Sequence, residues 1–213
     1  MKRLVLFAVA MFIGLASFAQ KKGDMFISGS ISADFGTQTT SLSDGGHSTS
    51  VSMPLPTRIG FGVEYGYFVV DNLKLGMSMS VPLTSTPVEE VDGKWLKDKA
   101  SGFAINPNVA YYVRLADRFY YTPEVGVSVN FGSLKEQLSK SETYKTPFWG
   151  WDVYANLLAL EFRVSEKIAI GAIVSGISYG SAIYTNVDTE AKATINQFKF
   201  DLNNSSVHFR FYF

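Results

Sequence analysis

The sequence predicts an all-β protein, an eight-stranded antiparallel up-and-down transmembrane β-barrel that follows a cleaved signal peptide. Three observations lead to this prediction. The chain begins with a secretory signal, it contains long segments in which apolar and polar residues alternate, and the links between those segments are alternately short and long. Alternation with a period of two places successive side chains on opposite faces of a strand.

The first 19 residues have the order of a signal peptide. Lys2 and Arg3 precede an apolar run over 4–15, and small residues at Ser17 and Ala19 suit cleavage before Gln20. The run is too short for a spanning helix, which needs about 20 residues. We therefore expect a signal peptide at 1–19 and an outer-membrane β-barrel at 20–213, the alternative being an anchor helix that is never removed.

Composition narrows the class of protein. Aromatic residues make up 15% of the chain and charged residues 18%, against a usual charged share of about 25%. The chain has no cysteine, which excludes disulfides, cysteine-bound zinc, thiol catalysis and iron–sulfur chemistry. Its 19 basic and 19 acidic side chains leave no basic excess, so we expect no nucleic-acid partner.

Eight segments show the alternation of strands. The clearest is 59–69, in which odd positions are apolar or aromatic and even positions are mostly small or charged. The eight are 25–35, 59–69, 73–83, 103–114, 119–131, 149–164, 168–179 and 205–213. All eight exceed the 5–6 residues common in soluble strands and have at least the ~9–11 residues that a strand needs to cross a bilayer. The facing of 149–164, where Leu157-Leu158-Ala159-Leu160 indicates a bulge, and of 168–179 stays open.

The links between segments alternate in length. Tight turns are predicted at 70–72, 115–118 and 165–167, and longer polar links at 36–53, 84–100, 133–146 and 181–197. This alternation is typical of an up-and-down barrel with one rim at the periplasm and the other at the exterior. Because loops on rigid scaffolds often bind ligands, the links 84–100 and 181–197 are candidate surfaces for an extracellular ligand.

The polar faces of the strands predict a filled interior. In hydrocarbon every backbone polar group must be paired, so the first strand must close on the eighth. Eight strands leave an interior that side chains can fill. The charged residues assigned to it are Arg58, Glu64, Lys74, Arg114, Glu124 and Arg210. We expect them to pair as a structural network in the lumen, the alternative being a gated ion path.

Catalytic and metal-binding patterns are weak. Ser206 and His208 share a strand face, and a serine needs such a base within reach to become nucleophilic, but alternation places this pair in the lumen. His47, in the polar segment 41–48, has only Asp44 near it in sequence, which is too few ligands for a metal site. The sequence therefore predicts a non-enzymatic protein with no catalytic, metal or cofactor site.

The last strand carries a family resemblance. It reads Val207-His208-Phe209-Arg210-Phe211-Tyr212-Phe213 and resembles the signal that outer-membrane barrels present to the barrel-assembly machinery during biogenesis, which implies that role for Phe209, Phe211 and Phe213. Segments 65–73, 111–124 and 162–168 resemble the outer-membrane β-barrel domain family of small OmpA-like and OmpX-like eight-stranded barrels. The resemblance implies a Gram-negative-type outer membrane, contact with its lipid, and often no catalytic role.

Three other functions stay open at this point. One is a narrow channel or porin for small solutes. Another is a soluble lipocalin-like barrel, which requires Glu64, Glu124 and Arg210 to point outward. The third is a lipid-modifying barrel enzyme, although the lipid A deacylase family has the order His-x-Ser, which Ser206-Val207-His208 reverses.

Overall fold

The computed structural model describes residues 20–35, 37–44, 47–91, 94–137, 143–186, 191–201 and 206–213. The signal peptide predicted at 1–19 lies outside these ranges and stays a prediction. Within them the strands are β1 (Met25–Asp34), β2 (Thr37–Asp44), β3 (His47–Pro54), β4 (Thr57–Val70), β5 (Leu73–Val91), β6 (Lys94–Tyr111), β7 (Val113–Ala116), β8 (Phe119–Tyr121), β9 (Glu124–Gln137), β10 (Thr143–Arg163), β11 (Ile168–Thr185), β12 (Lys192–Asp201) and β13 (Ser206–Tyr212). In this part of the chain no helix is long and apolar enough to cross a membrane.

Eight of the strands close into a ring. Its order is β1, β4, β5, β6, β9, β10, β11 and β13, with antiparallel pairing throughout. The closing pair joins β13 to β1, from Phe26 opposite Tyr212 to Ser32 opposite Ser206. This ring confirms the predicted eight-stranded up-and-down barrel. It has no free sheet edge, so its backbone polar groups are paired within the sheet.

The long links are antiparallel strands, and their interpretation as loops was wrong. The β2–β3 hairpin pairs Thr37 with Pro54 and ends with Asp44 opposite His47, so His47 lies in a strand. In the same way, β5 with β6, β9 with β10 and β11 with β12 stay paired over the described residues of the links predicted at 84–100, 133–146 and 181–197. Where neither face of a hairpin has to be apolar, the alternation fades while the backbone ladder continues.

The short turns form where they were predicted. The first is at Asp71 and Asn72, the second at Asp117 and Arg118, and the third within 164–167. Asn72 has φ 67°, a left-handed conformation that asparagine tolerates better than most residues. Its carbonyl accepts a hydrogen bond from the Tyr112 N–H at 2.8 Å, which ties this turn to the neighbouring hairpin.

The strands present opposite chemistry on their two faces. In β4, Val63 is 58% exposed while its neighbour Glu64 is 8% exposed, and Tyr65 is exposed again. Outward side chains of the other ring strands are mostly apolar, and the buried polar residues Ser28, Lys74, Asn108 and Ser128 point inward. The apolar surface is therefore on the outside and the charges are inside, as the alternation predicted.

Candidate functional site: the charged interior and the outer surface

Lys74 is the centre of one charged cluster in the interior. Its side chain is completely buried, and its Nζ lies 2.5 Å from Glu64 Oε1 and 2.7 Å from Glu124 Oε2. Glu124 Oε1 also accepts a hydrogen bond from Asn156 Nδ2 at 3.1 Å. Three strands, β4, β5 and β9, thus bring one cation between two carboxylates, which is the arrangement that makes buried charges tolerable.

A second cluster forms around Glu161, nearer the short turns. Its carboxylate is completely buried and accepts hydrogen bonds from Arg210 Nη1 at 2.5 Å and from the Tyr212 hydroxyl at 2.8 Å. Arg163 Nε lies 3.7 Å from the same carboxylate. Arg210 Nη2 is also 3.8 Å from Glu64 Oε2, so its guanidinium joins the two clusters into one network across the barrel.

Glu161 and Arg163 were missed because β10 contains a bulge. The pairing of β10 with β11 shifts between Asn156 and Leu158 and again between Leu158 and Ala159. Leu157 and Leu158 are both exposed, and beyond them the inward positions change from even to odd numbers. The alternation from 159 to 164, counted back from the short turn, would have identified these two inward charges.

Two of the six residues predicted to form the lumen network make their described ion pairs elsewhere. The side chain of Arg58 is 54% exposed, and its Nη1 lies 4.0 Å from Asp34 Oδ2 toward the long-hairpin end. Arg114 donates hydrogen bonds to Asp117 Oδ1 at 2.8 Å and to the Ala116 carbonyl at 3.2 Å, beside a short turn. Alternation gives the face of a residue but not its height along the barrel.

A layer of aromatic rings closes the interior at the short-turn end. The ring of Phe26 packs 5.3 Å from that of Tyr212, and Phe68 packs 5.0 Å from Tyr112 in an edge-on contact. These rings and that of Tyr120 are buried together. The Arg163 guanidinium lies 4.2 Å from the Tyr212 ring centroid and 5.7 Å from that of Tyr120, so the aromatic layer is in direct contact with the charged network.

The segment that precedes β1 lies across the same end. Gln20 is 1% exposed, and its Nε2 is 3.5 Å from both Glu161 Oε1 and the Tyr212 hydroxyl. Its carbonyl accepts a hydrogen bond from Asn72 N–H at 3.0 Å, and Gly23 N–H donates to the Phe68 carbonyl at 2.9 Å. Sequence reasoning did not place this segment, because it has no periodicity.

The other half of the interior is a polar cavity of about 640 Å³. Ser206 and His208 line it, with 3.0 Å between the serine Oγ and the histidine Nε2. Their contact is inside the barrel, away from the apolar outer surface where an acyl chain would lie. Within the described ranges no three histidine, aspartate or glutamate side chains converge as metal ligands.

The outer surface carries two levels of aromatic residues. Phe103, Phe131 and Trp149 are directly opposite one another on three neighbouring strands and are exposed. Tyr67 and Tyr111 are exposed near the short turns. Eight residues of β6 separate Phe103 from Tyr111, roughly 26 Å along the strand and roughly 20 Å along the barrel axis at the usual strand tilt. The exposed side chains between these levels are mostly aliphatic, with a few aromatic ones such as Tyr65 and Trp151.

Comparisons with known proteins found likenesses of fold at low sequence identity. No protein-family profile and no curated protein matches the sequence. Among solved structures, the outer membrane protein OprG of Pseudomonas aeruginosa is 14% identical, with 92% of this chain and 98% of that chain covered and a TM-score of 0.49. Neisserial surface protein A is 10% identical, with 89% and 99% covered and a TM-score of 0.41. The attachment invasion locus protein Ail of Yersinia pestis is 13% identical, with 90% and 99% covered and a TM-score of 0.42.

Proposed function

We propose that this chain is a non-enzymatic integral protein of a Gram-negative-type outer membrane, exported through a signal peptide at 1–19, with a structural or surface-interaction role. The observation that supports the proposal is the apolar belt, by which we mean the exposed outward side chains between the two aromatic levels. Monomeric soluble proteins rarely expose contiguous apolar patches larger than a few hundred Å². A belt around all eight strands is what lipid contact requires.

The charged side chains point into the barrel, which argues against a soluble barrel. A lipocalin-like protein needs an apolar interior and a polar exterior, whereas Glu64 and Arg210 are 8% and 6% exposed inside this one. Their burial is tolerable because each has an oppositely charged partner in the interior. Ion pairs join different strands in the short-turn half of the interior, which suits a structural barrel that holds its outer hairpins in place.

A matched pair of substitutions tests the membrane location. Val127 is 43% exposed within the belt, and Val88 is 49% exposed on the β5–β6 hairpin beyond it. In phosphatidylcholine vesicles, we expect Val127→Arg to lower the free energy of unfolding by about 2–4 kcal/mol, because an arginine near the bilayer midplane loses its hydration. We expect Val88→Arg to change it by less than about 0.5 kcal/mol.

Urea titration followed by tryptophan fluorescence measures both values. The two valines have similar exposure, so a soluble barrel would respond to the two substitutions alike. Equal and small effects, together with a preparation that stays dissolved without detergent, would refute the membrane proposal.

A narrow channel is the second candidate, and the polar cavity is the observation that favours it. The path through the barrel is nevertheless blocked at the short-turn end by the Glu161 cluster, the aromatic layer and Gln20. We therefore expect the full mature chain to give no reproducible single-channel steps in planar bilayers. Regular steps in a purified preparation that shows heat-modifiable gel migration would favour the channel instead.

The remaining partners are part of the same proposal. Phe209, Phe211 and Phe213 are 58%, 51% and 54% exposed on the outward face of the last strand, which supports contact with lipid and with the barrel-assembly machinery. The paired strands at 84–100 and 181–197 extend beyond the belt and offer surfaces to an extracellular ligand. Ser206 and His208 face the cavity, which supports a non-catalytic role for this pair.

A further inference from the structure

Three lysines form a row across the outer surface of the barrel. Lys135 on β9 lies directly opposite Lys99 on β6 and directly opposite Lys145 on β10. All three side chains are exposed on the outward face. Adjacent strands are about 4.8 Å apart, so three positive charges stand side by side across a width of roughly 10 Å.

This row has no counter-charge in the described part of the chain. None of the three lysines forms an ion pair with a described carboxylate. The outward neighbours on one side of the row are Lys97, Gln137 and Thr143 and on the other Ser101, Ser133 and Pro147. Like charges directly opposite each other destabilise a sheet, so an external anion would relieve a repulsion built into the fold.

The position of the row relative to the apolar belt indicates what that anion is attached to. Four residues along each strand, roughly 13 Å, separate the lysines from Phe103, Phe131 and Trp149. Ser101 and Ser133 lie between the two levels and offer hydroxyl groups. From the rim toward the bilayer the surface thus presents positive charge, then hydroxyls, then aromatic rings.

That order matches a lipid whose phosphorylated sugar headgroup is joined to acyl chains. The row lies on the long-hairpin side of the belt, which faces the exterior when the short turns face the periplasm. We propose that Lys99, Lys135 and Lys145 bind the phosphate of a phosphorylated glycolipid in the outer leaflet. This inference rests on the proposed membrane location and adds a specific lipid site to it.

The test uses the full mature chain, refolded in dodecyl maltoside and examined by native mass spectrometry. Bisphosphorylated lipid A, the same lipid without phosphates, and inorganic phosphate are added in separate titrations. We expect the barrel to bind the phosphorylated lipid more tightly than the other two probes. We expect the Lys99→Ser/Lys135→Ser/Lys145→Ser variant to bind it about a hundredfold more weakly, because it loses three basic residues that each attract anionic lipid. The corresponding Lys→Arg triple variant should bind within about threefold of the parent, because it keeps the charges.

The matched control is Lys21→Ser/Lys22→Ser/Lys167→Ser, which removes three exposed lysines at the opposite end of the barrel. We expect it to bind the phosphorylated lipid within about twofold of the parent, because the lost charges lie at the other membrane interface. Equal weakening by the two Lys→Ser variants, or unchanged binding by the first, would overturn the site. Full competition by inorganic phosphate at equal concentration would assign it to a free anion instead of a lipid.

Solubility and gel migration of the same samples test the membrane location independently. A chain that stays folded and dissolved without detergent overturns both proposals. A barrel that needs detergent and migrates as a folded species, yet does not distinguish the two lipids, overturns the lipid site alone.

Discussion

Replacing Glu161 with leucine should lower the free energy of unfolding by about 3–5 kcal/mol, the usual cost of breaking a buried ion pair by removing one partner. The substitution removes the carboxylate that lies 2.5 Å from Arg210 and 3.7 Å from Arg163. Arg210 would keep only the more distant Glu64, at 3.8 Å. Two tyrosine hydroxyls, of Tyr112 and Tyr212, would also lose their acceptor.

Urea unfolding in phosphatidylcholine vesicles measures this loss, and Glu166→Leu is its control. Glu166 lies exposed in the third short turn, so the same chemical change should alter the free energy of unfolding by less than about 0.5 kcal/mol. A Glu161→Leu variant within about 1 kcal/mol of the parent would mean that water in the lumen solvates the two arginines. The network would then not be a structural element.

The ring of strands could be predicted because, in the proposed membrane location, the bilayer acts on every residue of a crossing segment. Each outward position has to be apolar, so β4 shows the alternation from Ile59 to Val69 without interruption. Turn-forming residues, such as Asp71 and Asn72, also predicted where the strands end. Beyond the bilayer this constraint disappears, which explains why the paired strands at 84–100 could not be distinguished from a loop.

The charged network could be predicted only in part, because alternation tells which face of a strand a side chain is on but not how far along the barrel axis it lies. The structure brings together four inward residues that lie at similar positions along this axis: Glu64, Lys74, Glu124 and Arg210. Arg58 shares the inward face of β4 with Glu64, but it lies six positions away, near the end of that strand. The register between strands decides which residues of neighbouring strands lie side by side. Register depends on the whole sheet, so the sequence of a single segment does not give it.

The charged residues of the interior and those of the outer surface differ in whether they have partners of opposite charge. Inside, each described carboxylate of the network has a cation within 3.8 Å. Outside, Lys99, Lys135 and Lys145 have no such partner among the described residues. An interaction with a charged ligand is therefore expected at the outer rim, while the interior provides the rigidity that keeps this rim in register.

Substitution of Lys74 by methionine tests the other half of the network. It leaves Glu64 and Glu124 facing a shared site without the buried ammonium that lies 2.5 and 2.7 Å from them. We expect the free energy of unfolding to fall by about 3–5 kcal/mol, because the Glu124 carboxylate loses its only described cation and Glu64 keeps only Arg210, at 3.8 Å. Lys167→Met, at an exposed turn, should change it by less than about 0.5 kcal/mol.

The triple variant Glu64→Gln/Lys74→Met/Glu124→Gln separates lost pairing from lost packing. Neutral amides can keep hydrogen bonds to Asn156 and Tyr154 while no unpaired carboxylate remains at this site. We therefore expect the triple variant to recover at least half of the stability that Lys74→Met loses, measured by the same urea titration. Recovery is the decisive result, because a methionine that simply packed badly would destabilise both variants equally and the amides would restore nothing.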